Sequence, residues 1–267
     1  MSRLLSREDR PNSYIGRAVP RPNALRLLEG RGRYVDDKAP PRMLHAAFLR
    51  SPYAHARILS VDLEAARAMK GVVAAYSGAD IAKLVTPWVG VLTHMAGMRS
   101  PEQQALAVDV TRWQGEPVAM VVARTRAIAE DALALIEADF EPLPEVCDVE
   151  TALDPDAPLV HPQFGSNLCW ERRIDHGEVD AAFADPGNLI VERSFRFGRH
   201  TGVTLEPRSC LVEFDPADGI LTFYYSGQSP HMMQAVLAKH LGLAEAAVRV
   251  ISEDVGGSFG IKIHTYG

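Results

Sequence analysis

The chain has 267 residues, enough for one large domain or two ordinary ones, and its 47% hydrophobic and 23% charged residues are typical of a globular protein. A formal net charge of −6 argues against a nucleic-acid binder, and no apolar run approaches the roughly 18–20 residues that span a bilayer. The N-terminus lacks the apolar core of a signal peptide, and Cys147, Cys169 and Cys210 show no Cys-x-x-Cys spacing. These features predict a cytoplasmic protein with reduced cysteines that binds neither nucleic acid nor membrane.

The N-terminal stretch is locally basic, since residues 1–33 contain eight arginines against three acidic residues. Pro11, Pro20 and Pro22 discourage regular structure there. We therefore expect an extended arm over residues 1–27 that packs on another surface. Electrostatic contact with an acidic partner protein is the alternative.

From Gly32 onward, the pattern alternates between strands and helices. The predicted strands of the first half are residues 43–50, 56–61, 72–76, 117–123 and 138–143. A short helix is predicted over residues 63–69, and a second helix follows Thr125, whose hydroxyl can cap it. Residues 85–105 lack periodicity and predict a long loop. This alternation is typical of an α/β domain.

A proline-rich linker separates this half from the next. Five prolines fall within residues 141–162 and interrupt the pattern, which places a domain boundary near residue 150. The strands predicted beyond it are residues 189–197, 202–214, 220–226 and 248–252. The sequence Asp-Pro-Ala-Asp-Gly over residues 215–219 predicts a hairpin turn. Ser229 and Pro230 are typical of a helix start, and Gly242 of its end.

The glycine-rich segment after the last predicted strand is the first candidate site. Val255-Gly256-Gly257-Ser258-Phe259-Gly260-Ile261-Lys262 can bring its backbone close to a bound group. It is not a P-loop, because Lys262 lies one residue too far from Gly260 and Ile263 replaces the hydroxyl residue. Its spacing is also wrong for a dinucleotide-binding motif. Close approach to another cofactor and a tight turn within a strand connection both remain open.

Gln228 is the second candidate, in a turn between a strand and the helix that begins at Pro230. Its neutral amide can donate and accept hydrogen bonds there, or can merely satisfy backbone groups of the turn. Glu206 and Arg208 flank Pro207 and can form an ion pair within the fold. The scattered histidines have no metal-ligand spacing, and no serine lies in a Gly-x-Ser-x-Gly motif, so a hydrolase has no support.

A series of motifs in the order of a known family runs along nearly the whole chain. They are Gly32-Arg33-Tyr34-Val35-Asp36-Asp37, Arg50-Ser51-Pro52-Tyr53-Ala54-His55-Ala56, Gln114-Gly115-Glu116-Pro117-Val118-Ala119, Ala129-Glu130-Asp131-Ala132, Glu141-Pro142-Leu143-Pro144, Leu205-Glu206-Pro207-Arg208, Gly227-Gln228-Ser229-Pro230-His231 and the glycine-rich segment. With them the chain resembles the N-terminal third of the molybdenum-binding large subunit of the xanthine dehydrogenase/aldehyde oxidase family, including its carbon monoxide dehydrogenase-like branch.

The resemblance implies an α/β (α+β) fold in three parts. After the arm over residues 1–27, residues 28–147 are expected to form the family's α/β hammerhead domain. Residues 148–267 are expected to form the N-terminal portion of its first molybdenum-cofactor-binding domain, of mixed α/β structure. Family enzymes are oxidoreductases that hydroxylate aldehydes, N-heterocycles or related small molecules with oxygen derived from water.

The cofactors and site residues are likewise implied by the resemblance. The cofactor is molybdenum on a pterin dithiolene, in bacteria often the cytosine dinucleotide form, and [2Fe–2S] clusters and FAD are commonly carried on partner subunits. The amide of Gln228 is expected to hydrogen-bond an oxygen ligand of molybdenum. Phe259 and its neighbours are expected to line the metal's other side through their backbone, with no direct side-chain ligand. The expected cofactor-binding residues are Gln228, Gly256, Gly257, Ser258, Phe259 and Gly260.

The chain also departs from the family pattern. Family large subunits are roughly three times longer, and their general-base glutamate is expected downstream of Gly267, so no catalytic residue is expected in this chain. Ser258 stands where many members have a glycine, and no glutamate follows Lys262, which disfavours a purine substrate. One hypothesis is a split enzyme, inactive as this chain alone and completed by a second polypeptide together with iron–sulfur and FAD subunits. The other is a non-catalytic fragment or remnant without cofactor.

Overall fold

The computed structural model describes residues 14, 18–90 and 95–265. The strands are β1 (His45–Arg50), β2 (Ala56–Asp62), β3 (Val72–Ser77), β4 (Trp88–Val89), β5 (Glu102–Gln103), β6 (Val110–Thr111), β7 (Pro117–Ala123), β8 (Glu137–Pro142), β9 (Cys210–Asp215), β10 (Ile220–Tyr225) and β11 (Val248–Ile251). The α-helices are α1 (Ala24–Leu28), α2 (Glu64–Ala68), α3 (Gly78–Ile81), α4 (Arg126–Leu133), α5 (Val179–Ala184) and α6 (Pro230–Leu241). In this described part, no helix has the length and apolar character needed to cross a bilayer.

Two three-stranded antiparallel sheets form the first half of the chain. One has the order β1-β7-β3, and the other has the order β6-β2-β8. Five of the seven residues of β7 are buried, because sheet neighbours flank it and α4 packs on it. The core of this half lies between the β1-β7-β3 sheet and the helices α2 and α4. Its buried residues are Leu63, Ala66, Ala75, Ala119, Val121, Ala132 and Ile136.

Local patterns in the first half predicted most of these elements correctly. The five predicted strands correspond to β1, β2, β3, β7 and β8, and the predicted helix over 63–69 to α2. Thr125 caps α4 as expected, since its hydroxyl accepts the N–H of Ile128 at 3.2 Å. The loop predicted over residues 85–105 is wrong where β4 and β5 pair as a small antiparallel sheet; residues 91–94 lie outside the described part.

Three basic residues in the described part of the N-terminal region, Arg26, Arg33 and Lys38, contact the chain's own second half. Residues 24–28 form α1, so the prediction of an extended arm is wrong at residues 24–27; residues 1–13 and 15–17 lie outside the description. Both terminal nitrogens of Arg26 donate to the Asp254 carboxylate at 2.7 Å, and the backbone N–H of Arg33 donates to it as well. Lys38 pairs with Glu253 at 3.1 Å. Part of the basic stretch, together with Lys38, therefore binds an acidic surface of the same chain, at Glu253 and Asp254.

The second half contains one mixed sheet of order β11-β10-β9. The β9–β10 hairpin turns at residues 215–219 as predicted, with Gly219 at φ +72°. Helix α6 runs from Pro230 to Leu241 and is followed by Gly242, which adopts the left-handed conformation at φ +66° as its C-cap. Ser229 precedes the helix but makes no side-chain capping hydrogen bond.

The strand predicted over residues 189–197 is wrong, and the one over 202–214 is confirmed only over residues 210–214, which belong to β9. The short helix α5 was not predicted. Leu189, Phe195 and Phe197 are 91%, 82% and 87% exposed. A strand needs a neighbour for its backbone hydrogen bonds and a layer to cover its apolar face. Among the described residues, neither is present for this segment.

Candidate functional site

Parallel pairing of β10 with β11 brings the two candidate segments together. Leu221 lies opposite Val248 and Tyr224 opposite Ile251, so both strands end at the same edge of the sheet. The Gln228 turn follows β10, and the glycine-rich segment follows β11. The backbone N–H of Gln228 donates to the carbonyl of Lys262 at 3.3 Å. The two segments were predicted as separate candidates from the sequence, and the pairing of β10 with β11 places them next to each other.

The turn that carries Gln228 is held by its neighbours rather than by the glutamine side chain. The Ser252 hydroxyl donates to the Gly227 carbonyl at 2.7 Å, and the Ser229 N–H donates to the Tyr225 hydroxyl at 2.9 Å. A Cβ at Gly227 would lie only 1.7 Å from the Tyr225 ring, so this position requires glycine. Burial raises the pKa of Tyr225, opposed by the Ser229 hydrogen bond, so the phenol stays protonated at neutral pH.

The side chain of Gln228 is exposed, and its amide makes no hydrogen bond to any residue that the structure describes. The alternative in which this amide satisfies the turn's own backbone therefore has no support in the described contacts. The amide remains available as a donor and an acceptor at the edge of the sheet.

The glycine-rich segment has an irregular backbone with unpaired donors. Gly257, Phe259 and Gly260 adopt positive φ values of +100°, +47° and +84°. Within the described part of the chain, the N–H groups of residues 257–260 donate to no partner. No atom lies within 4 Å of a Cβ built at Gly260, and Phe259 is 75% exposed. Such a run of free N–H groups with left-handed residues suits an anionic or oxygen-rich ligand.

A charged cluster of a partly buried glutamate with a buried lysine and a buried serine contacts the segment. Oε2 of Glu206 accepts from the Ser226 hydroxyl at 2.5 Å, the Gly256 N–H at 2.6 Å and Lys262 Nζ at 3.2 Å. Lys262 Nζ also donates to Ser226 Oγ at 2.6 Å. The Lys262 side chain is 1% exposed, which explains why it cannot serve as the lysine of a phosphate-binding loop.

The cluster determines the charge state of Glu206. Burial raises the pKa of this carboxyl, but the hydrogen bonds from Ser226, Gly256 and Lys262 outweigh it and hold the pKa below its usual value. Glu206 is thus an anion at neutral pH. The sequence suggested Arg208 as its partner, whereas the salt bridge in the structure goes to Lys262, and Arg208 Nη2 donates to the Ile261 carbonyl at 2.8 Å.

Two cavities lie away from the candidate site in the described part of the chain. One cavity of about 220 Å³ lies beside Arg99 and His161, and another of about 270 Å³ lies between Trp88 and His240. None of the six sequence-predicted site residues lines either cavity. No group of three His, Cys, Asp or Glu residues in the described ranges has a metal-binding arrangement. The site therefore offers backbone N–H groups and one amide rather than metal ligands.

Two family models identify the class of protein to which this fold belongs. Residues 29–144 match the aldehyde oxidase and xanthine dehydrogenase α/β hammerhead domain, and residues 160–267 match the molybdopterin cofactor-binding domain. The chain belongs to the xanthine dehydrogenase/aldehyde oxidase family of molybdenum-binding large subunits.

Individual relatives agree with this assignment. The chain is 36% identical to the nicotine 6-hydroxylase large subunit of Paenarthrobacter nicotinovorans, over 95% of this chain and 31% of the relative. It is 35% identical to the carbon monoxide dehydrogenase large chain of Afipia carboxidovorans, over 91% of this chain and 31% of that relative. The structure superposes on the crystal structure of quinoline 2-oxidoreductase from Pseudomonas putida 86 with a TM-score of 0.86 and 37% sequence identity. The match covers 92% of this chain and 31% of the oxidoreductase chain. The chain thus spans about a third of the length of these proteins.

Proposed function

We propose that this chain is part of a molybdenum hydroxylase that oxidises an aldehyde, an N-heterocycle or a related small molecule with oxygen derived from water. Its relatives and structural neighbours are about three times longer, and two of them are named as large subunits or chains. The remainder of the large subunit, as another polypeptide, together with iron–sulfur and FAD subunits, would complete the enzyme. In this proposal residues 28–147 are the hammerhead domain, and residues 148–267 begin the first molybdenum-cofactor-binding domain.

The residues present fit a molybdenum–pterin cofactor. The observation that carries this proposal is the hydrogen bond between Gln228 N–H and the Lys262 carbonyl, which places a free side-chain amide beside a segment with free N–H groups. When bound, the cofactor would supply two-electron redox chemistry. Gln228 would donate its amide N–H to the cofactor from one side. The backbone of Gly256, Gly257, Ser258, Phe259 and Gly260 would lie against it from the other, where the absence of side chains at the glycines permits close approach.

The general base is proposed to lie outside this chain. Glu206 is not a candidate, because Oε2 already accepts three hydrogen bonds and the carboxyl pKa is lowered. An effective base needs a pKa near the operating pH and access to its substrate.

Gln228→Glu in the assembled complex tests this function. A carboxylate keeps the size of the amide but removes the donor and adds charge next to an electron-rich group. Loss of a hydrogen bond to a charged or strongly polar group costs about 1.5–3 kcal/mol, which corresponds to a fall in kcat of about tenfold to 100-fold. The fold should stay intact, because the side chain contacts no described residue through hydrogen bonds.

Gln163→Glu is the matched control, since Gln163 is exposed and lies in a different part of the chain. Its kcat should equal that of the unmodified complex. Turnover of Gln228→Glu within about twofold of the unmodified complex, with a shifted melting temperature instead, would assign Gln228 to the turn alone.

A further inference from the structure

We propose that Lys262, Glu206 and Ser226, named here the buried cluster, are positioning residues that hold the Gln228 turn and the glycine-rich segment at a set separation. This inference rests on the proposed function, because the two segments are the groups proposed to contact the cofactor. None of the three side chains was expected among the site residues.

The contacts of the buried cluster connect both segments through one oxygen atom. Glu206 Oε2 accepts the N–H of Gly256, which belongs to the glycine-rich segment, and the hydroxyl of Ser226, which is two residues before Gln228. Its other oxygen, Oε1, is buried without a partner among the described residues, so Oε2 alone makes the connection. A shift of the Glu206 carboxylate would therefore move both segments.

Lys262 makes the same connection from its two ends. Its side-chain nitrogen donates to Glu206 and Ser226, while its backbone carbonyl accepts the Gln228 N–H. One residue thus contacts the turn through its backbone and the carboxylate through its ammonium group. The distance between Gln228 and Gly256 depends on both contacts.

Close backbone contact adds to this constraint. The Glu206 N–H donates to the Gly256 carbonyl at 3.2 Å, and a Cβ at Gly256 would lie 2.5 Å from Cβ of Glu206. The buried cluster therefore touches the glycine-rich segment at its first glycine with no space for adjustment.

Its composition favours positioning over stability. A lysine that is 1% exposed loses its hydration, and an ion pair in such a place gives little net stability compared with apolar residues of the same size. Such a pair does require one geometry, because the carboxylate must meet all three donors at once. Polar groups in buried sites are known to specify a unique arrangement in this way in some proteins.

The test uses Lys262→Met and the milder Ser226→Ala, with Lys239→Met as the control at an exposed lysine of α6. In the chain alone, amide hydrogen exchange is measured by mass spectrometry. Loss of charge-assisted hydrogen bonds should raise exchange about tenfold at the hydrogen-bonded N–H groups of Gln228, in the turn, and of Gly256, in the glycine-rich segment, with β7 unchanged. An increase in one segment without the other, or in neither, would overturn the inference.

The second measurement uses the assembled complex and is normalised to bound molybdenum, determined by elemental analysis. A misplacement of about 1 Å can cost about 100-fold in rate, so a partial displacement should lower kcat per molybdenum about tenfold and alter the molybdenum electron paramagnetic resonance signal. If Lys262→Met does not fold, Ser226→Ala tests the inference through hydrogen exchange, kcat per molybdenum and the molybdenum signal. A lower melting temperature with unchanged kcat per molybdenum and an unchanged signal would show a structural role only. Lack of molybdenum in the unmodified complex would instead refute the proposed function itself.

Discussion

Replacement of Gly78 by alanine should destabilise the first half of the chain strongly. Gly78 begins α3, and a Cβ there would lie 2.0 Å from the carbonyl oxygen of Ala107 and 2.7 Å from its carbonyl carbon. Carbon–oxygen contacts are normally near ~3.3 Å, so the atoms would have to separate by about 1.3 Å. The obstacle is backbone, and Ala107 N–H donates to Pro117 at the start of β7 at 2.8 Å.

The expected loss follows from these contacts. Overpacking costs about 1–3 kcal/mol or more, and a strained backbone hydrogen bond adds up to about 1 kcal/mol. Alanine offsets about 0.4–1 kcal/mol by restricting the unfolded chain. Because the obstacle at 2.0 Å is backbone, the upper ends of both costs apply, and the free energy of unfolding should fall by about 3 kcal/mol.

Urea unfolding followed by tryptophan fluorescence measures this change, because Trp88 is buried in the same half of the chain. Gly198→Ala is the control, since no atom lies within 4 Å of a Cβ built there and its φ is ordinary. That variant should stay within about 0.5 kcal/mol of the unmodified chain. Equal stability of the two variants would show that the close approach between α3 and residues 106–107 is wrong.

Three further outcomes are expected. A chain truncated after Asp148 should unfold cooperatively on heating, because residues 28–147 have their own core; an insoluble product would contradict the proposed boundary. The Arg26 hydrogen bond lowers the pKa of Asp254 from 3.8 to about 2, so this pair contributes stability above about pH 4 that is lost as the pH falls toward 2. Arg26→Ala should flatten the melting temperature profile over that window, and an unchanged slope would count against the contact. The chain alone should oxidise no aldehyde with an artificial electron acceptor, and appreciable turnover of the pure chain would refute the split enzyme.

Short-range patterns in the sequence determined several elements by themselves. The apolar run of β7, the Thr125 cap of α4, the turn over residues 215–219 and the Pro230 start of α6 each depend on residues within a few positions of one another. The ordered motifs along the chain also indicated the family that the comparisons show. Local propensity and backbone sterics act over such distances, so the sequence alone was sufficient there.

Only the tertiary structure decided how the distant parts meet. Residues 189–197 have a strand-like pattern but form no strand, since no described strand pairs with them. Glu206 joins Lys262 across 56 positions, and Arg26 joins Asp254 across 228. A local pattern cannot select one acid among many as the partner of a base; that choice depends on which backbones pack together and exclude water. The sequence named six residues as a predicted site, and they stay a prediction; the contacts of the buried cluster with them depend on the pairing of β10 with β11.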